Sequence, residues 1–276
     1  MDSLRVCFLG TGSMGSAVMH GLIAAGHPKE LISATTNSKV SAEKLRAQGI
    51  SAMSIEESID ANALMAGDAD LIVLGVKPYQ IANVLGEIRD EIGKNAVVIS
   101  MAAGISIASM AAALPENPNV VRTMPNTPAL VGKGVTGLSV ASSCSKDAAE
   151  AAAALFKSVG AVIQIPEPMI NPLSAISGSG PAWVYYFIEQ WEKIAIQEGF
   201  TKDQAELMVR GTFDGAIDLL ANSDLEPEQL RRNVTSPGGT TERIIATFDD
   251  ADLQKIFHAG LLAAVARAEE IANSKQ

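Results

Sequence analysis

Val6-Cys7-Phe8-Leu9-Gly10-Thr11-Gly12-Ser13-Met14-Gly15 sets four unbroken apolar residues against three glycines at the spacing G-x-G-x-x-G. The apolar run lacks the alternation of a strand with one wet face, so it predicts a strand covered on both sides. The residues from Ser13 onward predict a helix that opens directly out of the glycines. Strand, glycine turn and helix in that order make a phosphate cradle. Gly10 permits the tight turn, Gly12 lets a pyrophosphate approach the backbone, and Gly15 lets the helix pack on the strand. A turn with no such task does not need three glycines at this spacing.

Working outward, short apolar runs recur at 31–34, 71–76, 96–99, 120–122 and 162–165. Helical patterns lie between them. One runs from Ser38 to Gly49 with Ser38 or Ser41 as cap, one from Pro78 toward Ile92, and an alanine-rich one from Ser145 toward Val159. Alternating strand and helix predict a doubly wound parallel sheet over residues 1–165. Pro166, Pro168 and Pro172 mark a change, and helices alone are expected beyond it, at 182–197, 202–220, 227–234, 241–247 and 253–272. Thr201 and Asp224 stand in cap regions. Residues 166–276 therefore read as an all-helical second domain. Two of its faces are broadly apolar: Leu207, Val209, Phe213, Ile217 and Leu220, and Ile256, Leu261, Leu262 and Val265. They predict burial against a second subunit, the alternative being that they bury one another.

The chain has 276 residues, 47% hydrophobic and 19% charged, which supports a full core. Its net charge is −10, and no basic run exceeds Arg231-Arg232, which argues against nucleic acid and anionic membranes as partners. An acidic ligand must then be drawn by local backbone dipoles. No apolar run is long enough to cross a bilayer, and no basic leader precedes the first strand, so the expected location is cytoplasmic. Cys7 lies in an apolar strand and reads as a buried thiol. His20, His27 and His258 have no metal-ligand spacing, and no metal is expected.

The chemistry concentrates in a few stretches. At the end of the second strand an acid would bind a ribose 2′-hydroxyl and repel a 2′-phosphate. Here stand Thr35-Thr36-Asn37-Ser38-Lys39, polar donors and a lysine, which favour NADPH with NADH possible. Val76-Lys77-Pro78 and Ser100-Met101-Ala102-Ala103-Gly104 end later strands, where such sheets bind ligands. Arg122-Thr123-Met124-Pro125-Asn126-Thr127-Pro128-Ala129 is a polar loop stiffened by two prolines. Far from all of these, Ser236-Pro237-Gly238-Gly239-Thr240-Thr241 precedes an amphipathic run with Ile244, Ile245 and Phe248 and forms a second anion cradle.

These stretches, together with Ser177-Gly178-Ser179-Gly180-Pro181-Ala182, resemble the motifs of the pyrroline-5-carboxylate reductases, in that family's order and over the whole chain. The resemblance implies reduction of 1-pyrroline-5-carboxylate to L-proline by NAD(P)H, the last step of proline synthesis. It also implies a Rossmann-type domain followed by a helical domain that interlocks with a partner's in dimers or higher homo-oligomers. By matching motif, Gly10, Thr11, Gly12, Ser13, Met14 and Gly15 would hold the cofactor, with Asn37, Ser38 and Lys39. Asn62 would lie near the adenosine ribose, Val76, Lys77 and Pro78 by the nicotinamide, and Met101, Ala102 and Asn126 along the cofactor. Ser236, Gly239, Thr240 and Thr241 would hold substrate, with Glu167 at the same cleft and the Thr241 hydroxyl at the ring nitrogen. Two stretches differ from the family's usual text, Asn171-Pro172 and Glu242-Arg243-Ile244. Rival readings are an imine reductase acting on another cyclic imine carboxylate and a non-catalytic NADP-binding sensor. A β-hydroxyacid dehydrogenase would want a lysine base on the helix after Gly180, where Lys193 is the first lysine.

Overall fold

The structure, a computed structural model, describes residues 3–273. Residues up to Ser179, with those from Ala264 onward, form one compact unit, and Gly180–Ala263 form a second.

The first unit is built on strands β1 (Val6–Leu9), β2 (Ile32–Thr36), β3 (Ser51–Ser54), β4 (Leu71–Leu74), β5 (Val97–Ser100), β6 (Val120–Met124), β7 (Gly134–Val140) and β8 (Gly160–Gln164). They form one sheet in the order β3-β2-β1-β4-β5-β6-β7-β8. Its helices are α1 (Ser13–Ala24), α2 (Lys39–Ala47), α3 (Ala61–Ala66), α4 (Ile81–Ile88), α5 (Ile107–Ala113), α6 (Lys146–Lys157) and α7 (Ile170–Leu173). The doubly wound Rossmann-type sheet expected from the sequence is present.

One pairing departs from the parallel pattern. β7 runs antiparallel to β6, with Arg122 opposite Ser139. Residues 125–133 connect them through a 3₁₀ turn, Thr127–Val131. A parallel return needs a crossover of a dozen or more residues, so this short link reverses the chain.

The core explains the unbroken apolar strands. Val6 and Phe8 of β1 pack on one face of the sheet with Val18, Met19 and Phe156. Cys7 and Leu9 pack on the other with Ile72, Leu74, Ile81 and Ile88. Both faces are dry, so the period-2 signal vanishes. Cys7 is wholly buried, and burial pushes its thiol up to about 12.

Helix starts follow the predicted caps. The Ser38 side chain accepts the Ser41 N–H at α2, and the Ser145 side chain accepts the Ala148 N–H at α6. Beyond β3, Glu57 clamps the chain back to α2. Its carboxylate takes Arg46 Nη2 at 3.0 Å, and the Ser54 N–H and hydroxyl each at 2.8 Å. These donors, Arg46 first, hold the Glu57 carboxyl down at about 2. A carboxyl lowered from 4.5 contributes stability that is complete above its unfolded value and is lost as pH falls through the folded one. Glu57→Gln should therefore flatten the fall of the urea midpoint with pH below about 4.5. An acid limb as steep as that of the parent protein would refute this role.

From Pro166 the chain is helical. A 3₁₀ turn (Glu167–Met169), α7 and a single π-helical turn (Ser174–Gly178) lead to the second unit. That unit contains α8 (Gly180–Gln197), α9 (Lys202–Ala221), α10 (Pro227–Asn233), α11 (Thr240–Asp250) and the first half of α12 (Leu253–Asn273). Thr201 caps α9 in a reciprocal box with Gln204. Asp224 does not cap α10: Glu226 holds the cap position, and Pro227 starts the helix where its missing N–H costs nothing. Trp183, Phe187 and Phe257 meet with ring centroids 5.9 to 6.4 Å apart. Among the described side chains of this unit only Gly180 and Ala205 are buried. Tyr185, Tyr186, Leu207, Ile217, Ile256 and Leu262 are each more than half exposed.

Candidate active site

The first candidate is a cleft of about 540 Å³ over the glycine turn. It brings together Gly10, Thr11, Gly12, Ser13 and Met14 from the β1–α1 turn and Asn37 from the end of β2. Val76, Lys77 and Pro78 come from the end of β4, and Met101 and Ala102 from the end of β5. These were proposed from four separate stretches of sequence. Thr36, from the same polar strand end, also lines it, as do Ser41, Gly75 and Gln80, which were not assigned to the site from the sequence. A larger groove, of about 710 Å³, lies between α5 and the ends of β7 and β8, away from the glycine turn.

The turn has the shape of a cradle. Gly10 has φ +85°, and a Cβ there would lie 2.6 Å from Val76 Cγ1. A Cβ on Gly15 would lie 2.8 Å from the Gly10 carbonyl oxygen, so α1 packs on the strand end as expected. At Gly12 nothing comes nearer than 3.9 Å. That position faces open space, where a side chain would fill the room a pyrophosphate needs. α1 starts at Ser13 with no side-chain cap, leaving its first N–H groups toward the cleft. These residues fit a dinucleotide.

Thr35 is the hidden support of the turn. It is 2% exposed, and its hydroxyl accepts the Gly10 N–H at 3.1 Å and donates to Asn62 Oδ1 at 2.8 Å. Its carbonyl oxygen accepts the Thr11 N–H at 3.2 Å. Asn62 Nδ2 donates in turn to Glu87 Oε2 at 2.7 Å. Both ends of the Asn62 amide are engaged behind the turn, and neither Asn62 nor Gly15 lines the cleft. A threonine at the end of the neighbouring strand was the available signal, because β2 lies beside β1 with Leu9 opposite Thr35.

Other predicted residues have defined partners. The Lys77 N–H donates to Gln80 Oε1 at 3.1 Å. The Ala102 N–H donates to Ser100 Oγ at 3.1 Å, which fixes the strand end by Met101. Asn126 Nδ2 donates to the Ser177 carbonyl at 3.1 Å, and Asn126 Oδ1 accepts the Val135 N–H at 2.8 Å. This amide ties the proline loop to the Ser-Gly-Ser-Gly stretch. Glu167 Oε1 accepts the Ile107 N–H at 2.8 Å and pairs with buried Arg122 at 3.1 Å. Asn171, one of the unusual residues, accepts from Arg122 Nη2 at 3.1 Å.

The second candidate is the 236–241 loop of the helical unit. Gly238 has φ +73°. The Gly239 N–H turns back to the Ser236 carbonyl at 2.9 Å, and Gly239 caps α11 without a side chain. Thr240 and Thr241 are thus the first two helical residues, and their N–H groups have no intrahelical acceptor. Among the described residues the Thr241 hydroxyl has no partner. Glu242, the unexpected acid, accepts the Gly238 N–H at 2.9 Å and so closes the loop. Lys193 pairs with Glu189 four residues before it.

No group of three or more His, Cys, Asp or Glu able to hold a metal occurs among the described residues. No described helix is long and apolar enough to cross a membrane.

Comparison with known proteins agrees along the whole chain. The family model described as pyrroline-5-carboxylate reductase dimerisation matches residues 167–271. The one described as NADP oxidoreductase, coenzyme F420-dependent, matches residues 5–104. A pyrroline-5-carboxylate reductase of Vibrio alginolyticus is 37% identical over 273 residues, covering 98% of each chain. One of Methanosarcina acetivorans is 32% identical over 272 residues, covering 98% of this chain and 99% of its own. The structure of a pyrroline-5-carboxylate reductase from Coxiella burnetii superposes with TM-score 0.90 at 35% identity, covering 98% of this chain and 99% of the other. The Plasmodium falciparum pyrroline carboxylate reductase, solved with NADP bound, superposes with TM-score 0.85 at 28% identity, covering 99% of each. The chain belongs to the pyrroline-5-carboxylate reductase family.

Proposed function

We propose that this chain reduces 1-pyrroline-5-carboxylate to L-proline with NADPH, and with NADH as an alternative reductant. The observation that carries the reading is the preformed glycine cleft, in a chain related along its whole length to reductases of this substrate. When bound, the nicotinamide supplies the hydride that reduces the imine carbon.

The chain's own part is binding and orientation. The N–H groups at the start of α1 and the open face at Gly12 take the pyrophosphate. Asn37, Ser38 and Lys39 face the adenosine ribose. Val76, Lys77, Pro78, Met101 and Ala102 border the nicotinamide half. Gly15, Asn62 and Asn126 hold the turn and the proline loop in place from behind. In the helical unit Ser236, Gly239, Thr240 and Thr241 hold the substrate, its carboxylate on the N–H groups of Thr240 and Thr241. The Thr241 hydroxyl is aimed at the ring nitrogen. An alkyl hydroxyl is too weak an acid to give up a proton at neutral pH, so Thr241 orients the imine, which arrives protonated or takes its proton from water. Glu167, occupied by Arg122 and Ile107, serves by bracing the middle of β6 against the start of α5.

The uncovered apolar faces of α8, α9 and α12 fit association through the C-terminal helices into a homodimer or larger homo-oligomer. A cytoplasmic location and the absence of nucleic-acid partners follow from the same reading and the net charge of −10. The test is NADPH oxidation by the purified protein with a panel of cyclic imines. Turnover confined to a larger ring would reassign the substrate. NADPH binding without oxidation of any imine would leave a sensor.

A further inference from the structure

We infer that Glu56 narrows the cofactor preference of this chain by placing a carboxylate where β2 itself supplies none. The inference rests on the reading that the glycine cleft holds the adenine dinucleotide.

The end of β2 is where such sheets meet the adenosine ribose, and an acid on that strand end is the usual means of rejecting a 2′-phosphate. Thr35-Thr36-Asn37-Ser38-Lys39 contains no acid. The fold brings one from the next strand. β3 pairs in parallel with β2, Thr36 opposite Ser54, so both chains leave the sheet at the same end. The Ile55 N–H donates to the Thr36 carbonyl at 2.9 Å and pins the exit of β3 to that of β2. Glu57 is committed to Arg46 and Ser54, which locks the segment against α2. Glu56 then accepts the Lys39 N–H on Oε2 at 2.9 Å.

That N–H is the first of α2, in the stretch between Asn37 and Ser41, both of which line the cleft. The first turn of α2 offers an incoming phosphate three N–H groups. Glu56 takes that of Lys39, and the Ser38 hydroxyl takes that of Ser41 at 3.3 Å. Only Val40 is left. A 2′-phosphate must displace or face a carboxylate there, whereas a ribose 2′-hydroxyl can donate to it. Glu56 therefore narrows the preference for NADPH over NADH that the lysine and the polar strand end create.

The test is calorimetric titration of the whole protein with adenosine 2′,5′-bisphosphate and with 5′-AMP, which reads the ribose site without turnover. Glu56→Gln keeps an oxygen acceptor for Lys39 and removes the charge. It should tighten the bisphosphate about tenfold at low salt, less at high salt, and leave 5′-AMP within about twofold. Glu43→Gln, on the exposed side of α2, removes the same net charge and should leave the ratio of the two affinities unchanged. A bisphosphate-to-AMP ratio unmoved by Glu56→Gln, or moved equally by Glu43→Gln, overturns the assignment to Glu56. Failure of all three proteins to bind either nucleotide overturns the cofactor site itself.

Discussion

Gly75→Ala should weaken NADPH binding about a hundredfold while the protein stays folded. Gly75 follows β4 and donates its N–H to the Leu9 carbonyl at 2.8 Å. A Cβ there would lie 2.1 Å from the Gly10 carbonyl oxygen and 3.3 Å from its carbon. Both are backbone atoms, so no flexible side chain can yield. Gly10 is tethered in its turn, because the Thr35 hydroxyl accepts its N–H at 3.1 Å. The turn must shift by roughly 1 Å, and a displacement of that size costs on the order of a hundredfold at a site that works by positioning. Gly86→Ala on α4 is the matched control. A Cβ there meets nothing within 4 Å, so it should stabilise by about 0.5–1 kcal/mol and leave binding intact. NADPH fluorescence titration with far-ultraviolet dichroism would decide the matter, and an affinity for Gly75→Ala within twofold of the parent would sink it.

The second large effect is expected at Thr241. Thr241→Ala should lower kcat/KM about a hundredfold, roughly 2.7 kcal/mol, with NADPH affinity unchanged. The alternative role for this hydroxyl, capping α11, is not the one it plays. Gly239 holds the cap position, and Thr241 is the second helical residue. Alanine at an early helical position is tolerated, so folding should not carry the loss. Thr241→Ser restores the hydroxyl and should recover most of the rate. A kcat/KM for the alanine variant within threefold of the parent would remove Thr241 from the mechanism.

The sheet was legible where strands are buried and apolar. β1, β4 and β5 show themselves as unbroken runs, and the glycines give the turn after β1. β3, Ser-Ala-Met-Ser, has no apolar run and lies at the sheet edge, so nothing in its composition marks a strand. β7 lies inside the sheet, but its two glycines, threonine and serine break up its apolar residues and hid it as well. Contacts at the site were harder to read than its members. Thr35 reaches Gly10 across 25 residues and Glu56 reaches Lys39 across 17. Such contacts follow from the order of strands in the sheet, not from spacing along the chain. Glu242 illustrates the same limit. Its charge next to a proposed carboxylate site looks unfavourable in sequence, yet in the fold it is the acceptor that closes the loop at Gly238.

Both tryptophans, Trp183 and Trp191, lie on α8, and both are more than a third exposed. The chain's ultraviolet emission is therefore a colour gauge of that one helix. A second copy seated on α8, as proposed above, would strip water from the indoles and move the emission to the blue. On dilution past the association midpoint it should drift back to the red, so self-association can be read on unlabelled protein without any mutation.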